Sequence, residues 1–109
     1  MKVSEFQKTI EDIYLVKDSS RGVSGTFVWF VEEVGELARA IKGSDRDNLE
    51  EEFADVFAWL STLASMTGVD LAEAASKYAK GCPKCHATPC HCHEDNRLVQ
   101  ENRESPKIS

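Results

Sequence analysis

Thr26-Phe-Val-Trp-Phe-Val-Glu-Glu-Val-Gly-Glu-Leu-Ala-Arg-Ala-Ile-Lys42 and, after six residues, Leu49-Glu-Glu-Glu-Phe-Ala-Asp-Val-Phe-Ala-Trp-Leu60 decide how this 109-residue chain reads. Phe30, Val34, Leu37 and Ile41 recur at helical spacing in the first segment; Leu49, Phe53, Val56, Leu60 and Leu63 do so in the second and its continuation. At about 100° per residue each set makes one apolar stripe. Glu33 and Glu36 fall along one edge of the first stripe, and Glu52 and Asp55 along the corresponding edge of the second. Each acidic pair is spaced i, i+3, so its members are neighbours on one helix face. The short connection at Gly43–Asp45 makes the two helices antiparallel neighbours, and their acidic edges can then meet. Ionised carboxylates beside a buried stripe are unfavourable without compensating charge. A hard divalent cation, Mg2+ or Mn2+, is the simplest partner, because it prefers carboxylate oxygens and keeps waters that a phosphate substrate can displace. The segment therefore points to a metal-dependent enzyme acting on a phosphate compound. Glu32 belongs to the same acidic run but lies outside the shared edge.

Working outward, the punctuation predicts four helices and no strand. The first covers residues 4–18, with Ser4 and Gln7 as a capping box and Phe6, Ile10, Ile13 and Tyr14 as its stripe. Residues 18–25, polar with two glycines, read as a loop. The second helix covers 26–42 with Gly43 as its stop. The third covers 45–66, with Ser44 as a cap candidate and Gly68 beyond its end. The fourth covers 71–80, opened by Asp70-x-x-Glu73 and closed by Gly81. The expected architecture is an all-α four-helix bundle over residues 1–81, a Cys/His-rich segment over 82–93 and a disordered tail over 94–109. Residues 26–31 and 56–60 are apolar almost all round, which demands burial on most sides. So small a bundle has too little interior for that, and an obligate oligomer is expected.

A net charge of -6 lacks the basic footprint of a nucleic-acid binder. The N-terminus is not a signal peptide, and no apolar run is long enough to span a membrane. A cytoplasmic protein is expected. All three histidines, His86, His91 and His93, lie in the Cys-rich segment. A di-iron carboxylate bundle needs Glu-x-x-His pairs on its helices, and none is available.

Cys82-Pro-Lys-Cys85 and Cys90-His-Cys92 form a C-x2-C-x4-C-x-C array. In a chain of this kind the four thiols suit structural Zn2+. Labile disulfides and an iron–sulfur centre are the alternatives, and His91 or His93 could exchange with Cys92 as the fourth ligand.

Val31-Glu-Glu-Val-Gly-Glu-Leu-Ala38, followed by Leu49-Glu-Glu-Glu-Phe-Ala-Asp-Val56, resembles the MazG-like nucleotide pyrophosphohydrolases of the all-α NTP pyrophosphatase superfamily. Their signature is an E-E-x-x-E and an E-x-x-D cluster on successive helices, and the resemblance covers roughly residues 20–80. Together with the Cys-rich end, the chain looks like a small MazG-like subgroup. The resemblance implies Mg2+-dependent cleavage of a nucleoside triphosphate between the α and β phosphates. It also implies a homodimer or dimer of dimers. House-cleaning of nucleotide pools is one role for such an activity. Glu33, Glu36, Glu52 and Asp55 would hold the metal; Glu32 would support those ligands, bind a second metal ion or orient the attacking water, and Glu32 or Glu33 would take that water's proton. Lys77 and Lys80, with Arg39 and Lys42 behind them, would meet the phosphates, although the Asn usual near them in the family is missing here. Trp29 and Trp59, each one turn from an acidic cluster, could stack on a base. Phosphoribosyl-ATP pyrophosphatase and a non-catalytic helical zinc-binding module are the alternative readings.

Overall fold

A computed structural model of the chain describes residues 1–93. The expected tail, residues 94–109, lies outside the described residues. Three α-helices follow in order, α1 (Val3–Lys42), α2 (Arg46–Met66) and α3 (Leu71–Ala75), and a single 3-10 turn, Ser76–Tyr78, follows α3. No strand occurs among the described residues, so the all-α class holds. The chain divides into two compact units, one of Met1–Ala75 and one from Ser76 onward.

The structure corrects the expected loop at residues 18–25. Helix runs on both sides of a single break at Gly22, whose φ of 83° and ψ of 165° are open to glycine almost alone. The polar residues that read as loop are instead turned inward. Asp18 and Thr26 are buried, and Arg21 Nη1 donates to Asp18 Oδ1 at 3.1 Å and to Thr26 Oγ1 at 3.3 Å. One guanidinium thus ties the turn before the break to the turn after it. Gly25 makes room for it, since a Cβ there would lie 2.7 Å from Arg21 Cγ.

The ends of the helices also differ in detail from expectation. At the start of α1 the Lys2 N–H donates to Glu5 Oε1 at 3.0 Å, and Ser4 is already inside the helix. Gln7, expected in a capping box, is buried and works across the fold. Its Nε2 donates to Ser65 Oγ (3.1 Å) and to the Val69 carbonyl (2.8 Å), while its Oε1 accepts from Leu71 N (2.9 Å). Asp45, not Ser44, caps α2 by accepting from Asn48 N at 3.1 Å. Asp70 Oδ1 accepts from Glu73 N at 3.2 Å, as expected for the start of α3. That α-helix ends at Ala75 and not at Lys80.

Contacts from both halves of α1 reach α2. Phe6 stacks on Phe57 with ring centroids 4.5 Å apart, and Trp29 lies against Trp59 at 6.3 Å. The pairing of early α1 with late α2, through Gln7 and Ser65, makes the helices antiparallel. The interior this creates is thin. Among the described residues Ile10, Ala40 and Ala64 are the buried apolar ones, outnumbered by Gln7, Asp18, Thr26, Ser61 and Thr62. Much of each predicted stripe stays in solvent: Ile41 is 59% exposed and Phe53 55%.

Candidate active site

Antiparallel packing brings the two acidic edges together. Ligand oxygens of Glu33, on α1, and of Glu52 and Asp55, on α2, all lie within 4.8 Å of one another. Glu33 and Glu52 are half-buried, and Asp55 is exposed. Glu36, one turn beyond Glu33, stands apart from this trio. Its Oε1 accepts from Arg39 Nη2 at 2.6 Å on an exposed surface. Glu32 is exposed and lines a shallow groove with Phe27, Val28, Val31, Gly35 and Arg39.

The trio is electrostatically unfavourable as it stands. Burial, followed by the charges of Asp55, Glu52, Glu36 and Glu32, raises the Glu33 carboxyl above its ordinary pKa. Burial also leads for Glu52, helped by Asp55, Glu36 and Glu51 and opposed by Arg39. Glu52 Oε2 is buried and has no hydrogen-bond partner. Such an atom normally finds a donor or a cation. Three carboxylates without a cationic side chain among them, one with an orphaned oxygen, form the donor set of a hard divalent ion.

Beside Asp55 a cleft of about 180 Å³ opens between the first half of α1 and α2. Tyr14, Lys17, Asp18 and Arg21 line it from α1, and Asp55, Ala58, Trp59 and Thr62 from α2. The Arg21 guanidinium lies over the Trp59 ring, 5.1 Å from its centroid. Of the two cations, Arg21 is engaged by Asp18, while Lys17 forms no ion pair among the described residues. The sequence reading missed Lys17, Asp18 and Arg21 because it put them in or beside a loop. The opposite charges at Asp18 and Arg21, spaced i, i+3, were the available signal for a continuing helix.

Of the aromatic candidates, Trp59 belongs to the cleft and Trp29 faces Trp59 with the rings 15° from parallel. Lys77 and Lys80 lie in the second unit, where the Lys77 ammonium sits 5.1 Å from the Tyr78 ring centroid. Lys42 ends α1.

The model of the MazG nucleotide pyrophosphohydrolase domain matches residues 22–86, more than half of the chain. The chain belongs to the MazG family. Among curated proteins no match to it is found. The MazG match spans both acidic clusters, and with it comes activity of the nucleotide pyrophosphohydrolase kind. In this MazG domain the clusters sit on α1 and α2, the cleft adjoins Asp55, and no described helix is long and apolar enough to cross a membrane.

The MazG match also takes in the first two cysteines of the Cys-rich segment. There the Sγ atoms of Cys82, Cys85, Cys90 and Cys92 likewise lie within 4.8 Å of one another. Backbone N–H groups, His91 first, pull the Cys85 thiol down to about 6. The neighbouring sulfurs, Cys90 first, push Cys92 up to about 12.

Proposed function

We propose that this chain hydrolyses a nucleoside triphosphate between its α and β phosphates, releasing a nucleoside monophosphate and pyrophosphate. Glu33, Glu52 and Asp55 hold a divalent cation, Mg2+ or Mn2+, and Glu36 joins them when it leaves Arg39. When bound, that ion neutralises triphosphate charge and lowers the pKa of a coordinated water. The residues supply the rest. Glu33 is the simpler acceptor for the water's proton, because its carboxylate lies with Glu52 and Asp55 whereas Glu32 is exposed on the groove beside it. Lys17 brings positive charge to a substrate that must approach three carboxylates. Tyr14 offers an aromatic face to a base beside a Trp59 ring already held by Arg21 and Trp29, and the Asp18–Arg21–Thr26 bonds hold the cleft wall in place.

The observation that carries this reading is the buried, unpartnered Glu52 Oε2 between two further carboxylates. A bundle whose acids served solubility alone would leave that oxygen in water. The test is pyrophosphate release from a panel of standard and modified nucleoside triphosphates with Mg2+ or Mn2+. Release from at least one is expected, lost on chelation and in Glu52→Gln. Lys17→Met is expected to raise KM about tenfold or more with a smaller change in kcat, the pattern of a lost binding contact. No release from any nucleotide with either ion would overturn the proposal.

A further inference from the structure

Outside the carboxylate site the described residues contain one other cluster of ligand-type side chains, the four cysteines. Nothing in nucleotide hydrolysis requires them. Cys82 Sγ and Cys92 Sγ are 3.8 Å apart, and Cys85 Sγ and Cys90 Sγ 3.9 Å. A disulfide would bring each pair to about 2.05 Å. Four sulfurs placed tetrahedrally at about 2.3 Å from a zinc ion stand about 3.8 Å from one another. Those two separations match edges of that tetrahedron, and all four sulfurs lie within 4.8 Å of one another.

The local backbone is shaped to the same end. His86 N donates to the Cys82 carbonyl at 2.7 Å and Cys82 N to the Ala87 carbonyl at 3.1 Å, closing a tight loop around the first Cys pair. His86 reaches a φ of 62° to do so, and Gly81 one of 100°. A Cβ at Gly81 would meet Thr88 Oγ1 at 2.8 Å and the Ala87 carbonyl oxygen at 3.0 Å, so the loop folds directly onto that glycine. Two amide groups point at sulfur: His91 N at Cys85 Sγ and Cys92 N at Cys90 Sγ, both 3.3 Å. Amide donors aimed at sulfur suit thiolates that carry charge. Residues 82–93 form no helix or strand, and beyond the cysteines their apolar residues are Pro83, Ala87 and Pro89. Packing cannot gather four sulfurs in such a segment.

We propose that Cys82, Cys85, Cys90 and Cys92 bind one Zn2+ ion in a closed tetrahedral thiolate site that organises residues 81–92. Four thiols give up their protons on binding, and Zn2+ with four thiolates carries a charge of about -2. The His91 and Cys92 amides meet part of that charge. All four positions are filled by protein, so the ion is structural and the site has no place for substrate. Zinc fits better than iron because Cys90 and Cys92 are exposed, and a redox-inert ion needs no shelter from solvent.

The test uses the full chain, produced with zinc available and purified reduced without chelator. Elemental analysis should find one zinc per chain, and X-ray absorption at the zinc edge should find four sulfur neighbours at about 2.3 Å and no nitrogen. Titration with an organomercurial should release the zinc as four thiols react. Cys85→Ser and Cys90→Ser should each lower zinc retention against a competing chelator at least tenfold, while His91→Ala and His93→Ala leave it unchanged. The absorption measurement needs no variant and holds if the serine variants fail to fold. Zinc-free protein with four free thiols, two disulfides, a bound iron, or nitrogen in the coordination shell would each overturn the assignment.

Discussion

Glu52 is where the conflict between stability and function is sharpest. Its carboxyl is raised above the ordinary value by burial and then by Asp55, Glu36 and Glu51. A carboxyl whose pKa rises on folding binds its proton more tightly in the native state than in the unfolded one. The contribution to stability is therefore best at low pH and is lost as pH rises from the ordinary carboxylate value through the raised one. As pH rises through that raised value, the metal-free protein takes on this unfavourable charge. Glu52→Gln removes it and gives the orphaned oxygen's position a donor for Asp55 or Glu33. The variant is expected to have a higher Tm than the parent in chelator and to lose the parent's rise in Tm with Mg2+. Pyrophosphate release should fall about 100-fold or more, since even a group that only orients a metal ligand costs up to that much. Calorimetry with and without Mg2+, beside a turnover assay, checks both halves. At this scale the sequence was informative about charge and silent about reach. Wheel positions placed Glu33, Glu52 and Asp55 on one edge, and their oxygens do meet. The same wheel grouped Glu36 with them, whereas Glu36 pairs with Arg39 at 2.6 Å, a partner that the i, i+3 spacing of opposite charges could have signalled.

At the scale of elements, two glycines read alike in sequence and act differently in structure. Gly43 stops α1 in an extended conformation, φ -83° and ψ -175°, which any residue can adopt. A Cβ there would make only an ordinary contact, 3.5 Å from the Ala40 carbonyl oxygen. Gly22 holds a conformation open to glycine almost alone, with free space around it. Gly43→Ala is accordingly expected to change stability by less than about 0.5 kcal/mol, whereas Gly22→Ala should cost about 1–3 kcal/mol through backbone strain alone. Equilibrium unfolding in urea resolves the two. Arg21→Ala should cost more, about 3 kcal/mol, because it leaves the Asp18 carboxylate buried without its partner. These variants also explain why the first two expected helices with a loop between them became one broken α1. Polarity in residues 18–25 reads as loop when solvent is assumed to be its partner. Here Asp18, Arg21 and Thr26 are partners to each other, and a pattern of types alone does not carry that information. The start of α2 was legible to within a residue, because cap-forming residues before a helix are a local signal, but sequence favoured Ser44 where Asp45 is the cap.

At the scale of the whole molecule, what needs explaining is how little of the apolar sequence is covered. Phe27, Val28, Trp29, Val31 and Phe53 are each half or more exposed, and Thr26 and Ser61 are the largest side chains fully buried. We expect apolar area of this extent on a small helical chain to be an interface. The apolar runs at 26–31 and 56–60 carried the same expectation from sequence, since a helix apolar all round has to be buried all round. Where the cover lies was not legible, because it depends on which side α2 takes. The groove lined by Phe27, Val28, Val31 and Gly35 is the part of α1 left over once Glu33 has turned toward α2. No atom stands within 4 Å of a Cβ built on Gly35, so the groove floor is open to an approaching helix. We expect the full chain to sediment as a dimer or a dimer of dimers at micromolar concentration, with copies joined through this face. Val31→Glu puts a charge at its centre and leaves the carboxylate trio's own contacts untouched. The variant should sediment as a monomer or aggregate, with a Tm several degrees lower, and should lose the parent's rise of Tm with concentration. A parent chain that stayed monomeric and folded at those concentrations would instead require the exposed apolar face to be covered from within the same chain.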